Sequence, residues 1–245
     1  KTVIIDSNQL AIQIHESIGP PAEFDRVLGT EASFAGTSFL TIDKLNKLIY
    51  GTPIVNVFAD ATIPYGLGSY AFDDEGVASK RVPLIQEGLF TGYLTSRETA
   101  TLLEQESSGA MKAANWNFLP LIRMPNINLE PGDWSLEDLI ADTEDGLYLC
   151  TNKSWSIDDK RWNFQFSTEI AWEIKNGKLG KMYKNPTYTD NTVHFWNSCN
   201  AICNEKYWHL WGIPNCGKGQ PMQVGHVGHG AAPARFNDIR VGVLD

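Results

Sequence analysis

The chain has 245 residues, 42% of them hydrophobic and 20% charged, which is enough apolar material for one ordinary globular domain or two small ones. Its net charge of −9, from 20 basic and 29 acidic residues, argues against nucleic acid as a partner: phosphate recognition needs clustered Lys and Arg, and no basic run exceeds a pair such as Lys80-Arg81. No stretch approaches the roughly 20 apolar residues of a membrane span, and no charged-then-apolar leader opens the chain.

Lys1 runs straight into Thr2-Val3-Ile4-Ile5, which reads as a strand. With no initiator Met, a start on a core strand predicts a chain cut from a longer protein. Asp6 or Ser7 then caps a helix from about Gln9 to Ile18. Steps of 100° place Leu10, Ala11, Ile14 and Ile18 on one apolar stripe, with His15 at its edge and Glu16 further round. Thr41 opens a helix over Ile42 to Tyr50, and Gly51 stops it. In "FDDEG", Phe72 to Gly76, the acids read as a turn whose carboxylates accept backbone N–H groups, because a calcium loop needs acids at alternate positions over a longer span.

Val82–Ile85 and Leu89–Leu94 pair as a hairpin around Glu87-Gly88. Thr95-Ser96-Arg97-Glu98 has capping-box spacing before a helix over Thr99 to Gln105. Ser135 caps Leu136 to Thr143, with Asp138 three residues on and Gly146 past the end. From Trp162 to Ile174 even positions are apolar or Thr and odd positions mostly polar, the alternation of an antiparallel strand with one wet face. Asn176-Gly177 is a hairpin turn, since both positions accept φ > 0, and Lys178 to Lys184 returns as the partner strand. Strands outnumber helices, so the fold class is α+β with a large, mainly antiparallel sheet.

Cysteines at 150, 199, 203 and 216 form no dense disulfide framework and read as thiols in a reducing, cytoplasmic setting. Cys199 and Cys203 have the spacing to share a helix face as a metal pair, against the plainer reading of buried thiols. The eight tryptophans, Trp196, Trp208 and Trp211 among them, read as core and dimer interface.

His15-Glu16 begins as the helix of a zinc peptidase does. The second histidine of such a site stands four residues on, at Gly19, or in a variant five residues on, at Pro20; neither has a side-chain donor. Catalytic zinc takes three protein ligands and leaves one position open, and an adjacent Glu serves as general base. Cys216 as a nucleophile with His15 as its base is the alternative, and it leaves Glu16 without a task.

Longer motifs narrow the reading. "IHESIG" with "EFDRVLG", "GSYAFDDEGV", "GYLTSRETA", "RMPNINLEPGD", "NPTYT" and "NCGKGQP…GHGAAPARF" resemble, in order from Thr2 to Val243, the C-terminal domain of the TldD/PmbA family, modulators of DNA gyrase whose TldD branch are zinc metallopeptidases. The resemblance implies a barrel-like sheet and one C-terminal-type domain over residues 1–245, with the family's N-terminal domain absent. It also implies a zinc cofactor, extended or unfolded peptide substrates and a homodimer or a heterodimer with a related subunit. Carried over residue by residue, it makes His15 and Cys216 metal ligands and Glu16 the general base, while the second histidine falls on Pro20. Glu23 and Asp25 match acidic positions that contact substrate or support the ligands, and Arg123 and Asn126 match peptide or loop contacts. With Pro20 in place of a ligand, His226 is the spare donor, and His229 of "GHG" takes a structural role. Two functions remain: a metallopeptidase with an incomplete zinc site, or a non-catalytic peptide-binding or partner subunit of PmbA type.

Overall fold

Period-two runs of the sequence become strands and capped apolar stripes become short helices in a computed structural model that describes residues 1–243. In chain order, β1 (Thr2–Ile5) leads into α1 (Ser7–Ser17) and the single turns α2 (Gly19–Ala22) and α3 (Phe24–Val27). Then come β2 (Val57–Asp60), β3 (Arg81–Gln86), β4 (Leu89–Phe90), α4 (Arg97–Thr101), β5 (Met111–Lys112), β6 (Leu121–Ile122), β7 (Ile127–Leu129) and α5 (Leu136–Ala141). The long strands β8 (Asp145–Ile157) and β9 (Asn163–Lys175) precede β10 (Lys178–Lys184), β11 (Pro186–Asn191), α6 (Thr192–Asn197) and β12 (Cys199–Ile202). A ribbon of β13 (His209–Lys218) and β14 (Gln223–Ala231), then β15 (Ala234–Phe236) and β16 (Arg240–Val243), completes the described chain.

The large sheet runs β12-β15-β1-β8-β9-β11-β16, with β10 also on β9, and curls into a half-barrel. Its pairs are antiparallel except β1 with β8. A four-stranded sheet, β4-β3-β2-β7, and the β13–β14 ribbon stand beside it. Helix α1 packs against β8 of the large sheet and against β7, β13 and β14. The predicted stripe of Leu10, Ala11, Ile14 and Ile18 is fully buried there, joined by Val3, Ile4 and Ile5 of β1. Burying such aliphatic side chains is worth about 1.5–3 kcal/mol each, so the helix is held by packing.

The start strand, the Asp6 cap and both hairpin turns form as read from the sequence, the first with its return strand shortened from Leu89–Leu94 to Leu89–Phe90. The Asp6 carboxylate accepts the Gln9 N–H at 2.8 Å. Glu87 and Gly88, like Asn176 and Gly177, have positive φ as the tight turns require. In the "FDDEG" turn, the Asp73 carboxylate accepts the N–H groups of Glu75 and Val77.

Four local expectations change. The Ile42–Tyr50 helix shrinks to a 3-10 turn over Ile42–Lys44: Asn46 has φ +58 and gives its N–H to the Phe90 carbonyl, so tertiary pairing with β4 wins over helix propensity. The cap of α4 is Ser96, with Thr99 closing the box, because Thr95 is taken by Ser108. Helix α5 stops at Ala141, and Gly146 lies inside β8. Cys199 lies in β12 and Cys203 just beyond it, both buried. At about 3.3 Å per extended residue they stand too far apart to share an ion.

Candidate active site

The expected helix edge does bring His15 and Glu16 to a cavity. This opening, of about 360 Å³, is lined by His15, Glu16, Pro20, Trp155, Arg161 and Cys216, among others. Three elements build it. Helix α1 supplies the His-Glu pair. The α2 turn supplies Pro20, whose missing N–H costs nothing in the first turn of a helix. Strand β13 supplies Cys216, next to a register shift between Ile213 and Cys216. Such a bulge re-aims the side chains beside it. The structure therefore places His15, Glu16, Pro20 and Cys216 around one space. It places His226 elsewhere, exposed and lining a second cavity.

His229, and not His226, meets the first ligand position. Its Nε2 lies 2.7 Å from Nδ1 of His15, and its own Nδ1 is 3.2 Å from the Ile127 carbonyl. A carbonyl only accepts, so His229 Nδ1 carries hydrogen and Nε2 accepts from His15 Nδ1–H. With Nδ1 engaged, Nε2 of His15 is the nitrogen left for Cys216. Burial, then repulsion from His15, depresses His229 well below the ordinary histidine value against the Ile127 bond, keeping it neutral. For His15, burial opposes the cation, but Cys216 first, and then the charges of Glu16 and Glu23, outweigh it and raise its pKa. For Cys216, burial opposes the thiolate, but His15 and then Arg123 lower its pKa overall.

Glu16 Oε1 accepts the indole N–H of Trp155 at 2.8 Å, which fixes the carboxylate at the cavity wall. Glu23 and Asp25, matched by motif to substrate or ligand-supporting positions, are buried in an ion cluster, from which the Glu23 charge acts on His15 and Cys216. Lys218 Nζ lies 3.0 Å from Glu23 and 2.7 Å from Asp25, and Arg26 is 3.3 Å from Glu23. Arg123 donates to the carbonyls of Gln223 and Cys216 at 3.1 and 2.5 Å. Asn126 is fully buried and ties Gly68 N, Asp60 O and Ser69 Oγ together. Its role is to fix loops. Sequence reading did not single out Trp155, Lys218 or the His15–His229 contact. One signal was available for the last: residues three apart on a strand face opposite ways, so only one of His226 and His229 can face α1.

The fit of a metal follows from these distances. Two nitrogens on one tetrahedral zinc, each at 2.0–2.1 Å, sit about 3.3 Å apart. The 2.7 Å between His15 and His229 is a ring-to-ring hydrogen bond, so His229 supports His15 and does not share an ion with it. Pro20 has no donor. Among the described residues no three His, Cys, Asp or Glu side chains gather as a metal-holding group. The residues present do not fit a three-ligand zinc centre.

A model of the PmbA/TldA metallopeptidase C-terminal domain matches residues 1–243. The chain belongs to this family. It is 35% identical over 227 residues to a metalloprotease of Methanocaldococcus jannaschii, covering 92% of this chain and 48% of that protein. It is 31% identical over 240 residues to a metalloprotease of Synechocystis, covering 98% of this chain and 49% of that one. Among solved structures, TldE from Thermococcus kodakarensis superposes with a TM-score of 0.76 over 98% of this chain and 50% of its own, at 18% identity, a likeness of fold. The chain thus spans about half the length of the curated relatives it matches. Among the described residues no helix is long and apolar enough to cross a membrane.

Proposed function

We propose that the cleft between α1 and β13 is a peptide-binding site of metallopeptidase descent, and that as it stands it does not complete a zinc centre. The carrying observation is Pro20, which shares the cavity with His15, Glu16 and Cys216 where the family pattern has a second histidine. Strand β13 supports the peptide part of the reading. Among the described residues it is paired only with β14, and it lines the cavity with Gly212, Ile213, Asn215 and Gly217. An extended segment beside it would gain main-chain hydrogen bonds by strand addition, with little demand on side-chain identity.

In this reading the chain's own groups hold the peptide. Trp155 keeps the Glu16 carboxylate in place, and His229 orients the His15 ring. The retained pair of His15 and Glu16 favours the second reading, a working metallopeptidase that holds zinc with His15, Cys216 and a substitute ligand within this protein.

Elemental analysis separates the two. The unaltered protein is expected to carry well under one zinc per chain after dialysis, and Pro20→His to approach one. One zinc per chain in the unaltered protein would overturn the incomplete-site reading.

A further inference from the structure

A second cavity, of about 250 Å³, lies against β14. Its lining includes Lys112, Arg123, Gln223 and His226 and, among the described residues, no Asp or Glu. Three basic side chains around one opening are unexpected in a chain of net charge −9. None of the three has an ion-pair partner among the described residues. The neighbouring acids are engaged elsewhere: Asp74 Oδ2 accepts the Ala113 N–H at 2.5 Å, and Glu23 is held by Lys218 and Arg26.

Arg123 makes this more than a basic surface. It is 4% exposed, and its Nε is buried with no hydrogen-bond partner among the described residues. A buried donor without an acceptor is costly unless a ligand supplies one. Gly225 makes room for the guanidinium, since a Cβ there would lie 2.5 Å from Nη2. Lys112 Nζ is held over the Tyr70 ring, 4.8 Å from its centroid. With the Arg123 Nη atoms donating to the Gln223 and Cys216 carbonyls, its free Nε–H, the Lys112 ammonium and the His226 imidazole around a small opening suit a carboxylate in charge and donor supply.

We propose that this cavity is a subsite for a carboxylate of the bound peptide, recognised by Lys112, Arg123 and His226. It rests on the peptide-binding reading above, and the strands connect the two places: Gly225 of β14 pairs with Cys216 of β13, and Arg123 donates to the Cys216 carbonyl. A peptide along the ribbon can then set its register by anchoring one negative group. Both sources of that group, the chain terminus and an acidic side chain, present the same chemistry.

The test uses dansylated alanine–phenylalanine peptides in four forms: free acid, C-terminal amide, and amides with a Glu or a Gln next to the end. Fluorescence titration is expected to show the free acid binding about tenfold tighter than its amide, the scale of a charge-assisted hydrogen bond. Lys112→Gln and, independently, the exposed His226→Gln are expected to erase that difference and leave the plain amide unchanged. A preference for the Glu over the Gln amide instead would assign the site to a side-chain carboxylate and sustain the proposal. Equal binding of all four forms would overturn the subsite and leave the cleft standing. Failure of every form to bind would overturn both.

Discussion

Lys218 is 1% exposed, and two carboxylates, Glu23 and Asp25, and the Ile122 carbonyl all lie within 3.0 Å of its ammonium. A buried ion cluster contributes little against an apolar replacement of all its members, but removing one partner strands the others. Lys218→Met is therefore expected to cost about 3–5 kcal/mol in urea unfolding. A cost below about 1 kcal/mol would mean that water reaches the two carboxylates and the cluster is not closed. The cysteines also differ by residue. Burial pushes Cys150, Cys199 and Cys203 up to about 12. At pH 8 these three are expected to resist iodoacetamide in the folded protein, as mass-mapped labelling would show, because the thiolate is the reacting form.

At the scale of elements, hairpin turns decide where strands end, and one of them touches another element. Gly177 closes the β9–β10 hairpin with φ +70, and a Cβ there would come within 2.3 Å of the Ala141 carbonyl at the end of α5. Gly76 has φ +76 in the Asp73 turn and nothing within 4 Å. Both alanine substitutions meet the left-handed backbone cost of about 1–2 kcal/mol. Only Gly177→Ala adds a backbone clash, so thermal melts should place it clearly below Gly76→Ala. Equal melting temperatures would show that α5 yields without loss. The same separation governs legibility. Asn176-Gly177 and Asp73 act within a few residues and were readable. The helix expected over Ile42–Tyr50 was lost to β4, some forty residues away in sequence.

For the whole molecule, the ion cluster sets a pH dependence. Burial alone would raise the Glu23 pKa, but Lys218, Arg26 and Arg123 together lower it below 4.5. The unfolded chain therefore takes up this proton first as pH falls below 4.5, and the stability Glu23 contributes is lost through that range. Asp25 works the other way: burial, only partly offset by Lys218, raises it above 3.8, so the fold gains from its protonation as pH drops towards that value. Glu23→Gln is expected to be less stable at neutral pH and to show a shallower acid limb below pH 4.5 than the unaltered protein. Parallel acid limbs in chemical denaturation would show that another carboxylate carries the dependence.

Sequence alone was enough for the class of fold, the two hairpin turns, the Asp6 and Ser135 caps and, through motifs spread from Thr2 to Val243, the family. It also delivered His15, Glu16, Pro20 and Cys216 as one cavity's residues. These signals are local, or carried by matched strings, and they survive without coordinates. Only the tertiary structure decided that His229 and not His226 meets His15, that Glu23 and Asp25 are locked on Lys218, and that Lys112, Arg123 and His226 share an opening free of acids. Those contacts join positions from about 100 to more than 200 residues apart. They depend on strand register, and a one-residue shift such as the bulge before Cys216 reverses which side chains face inward.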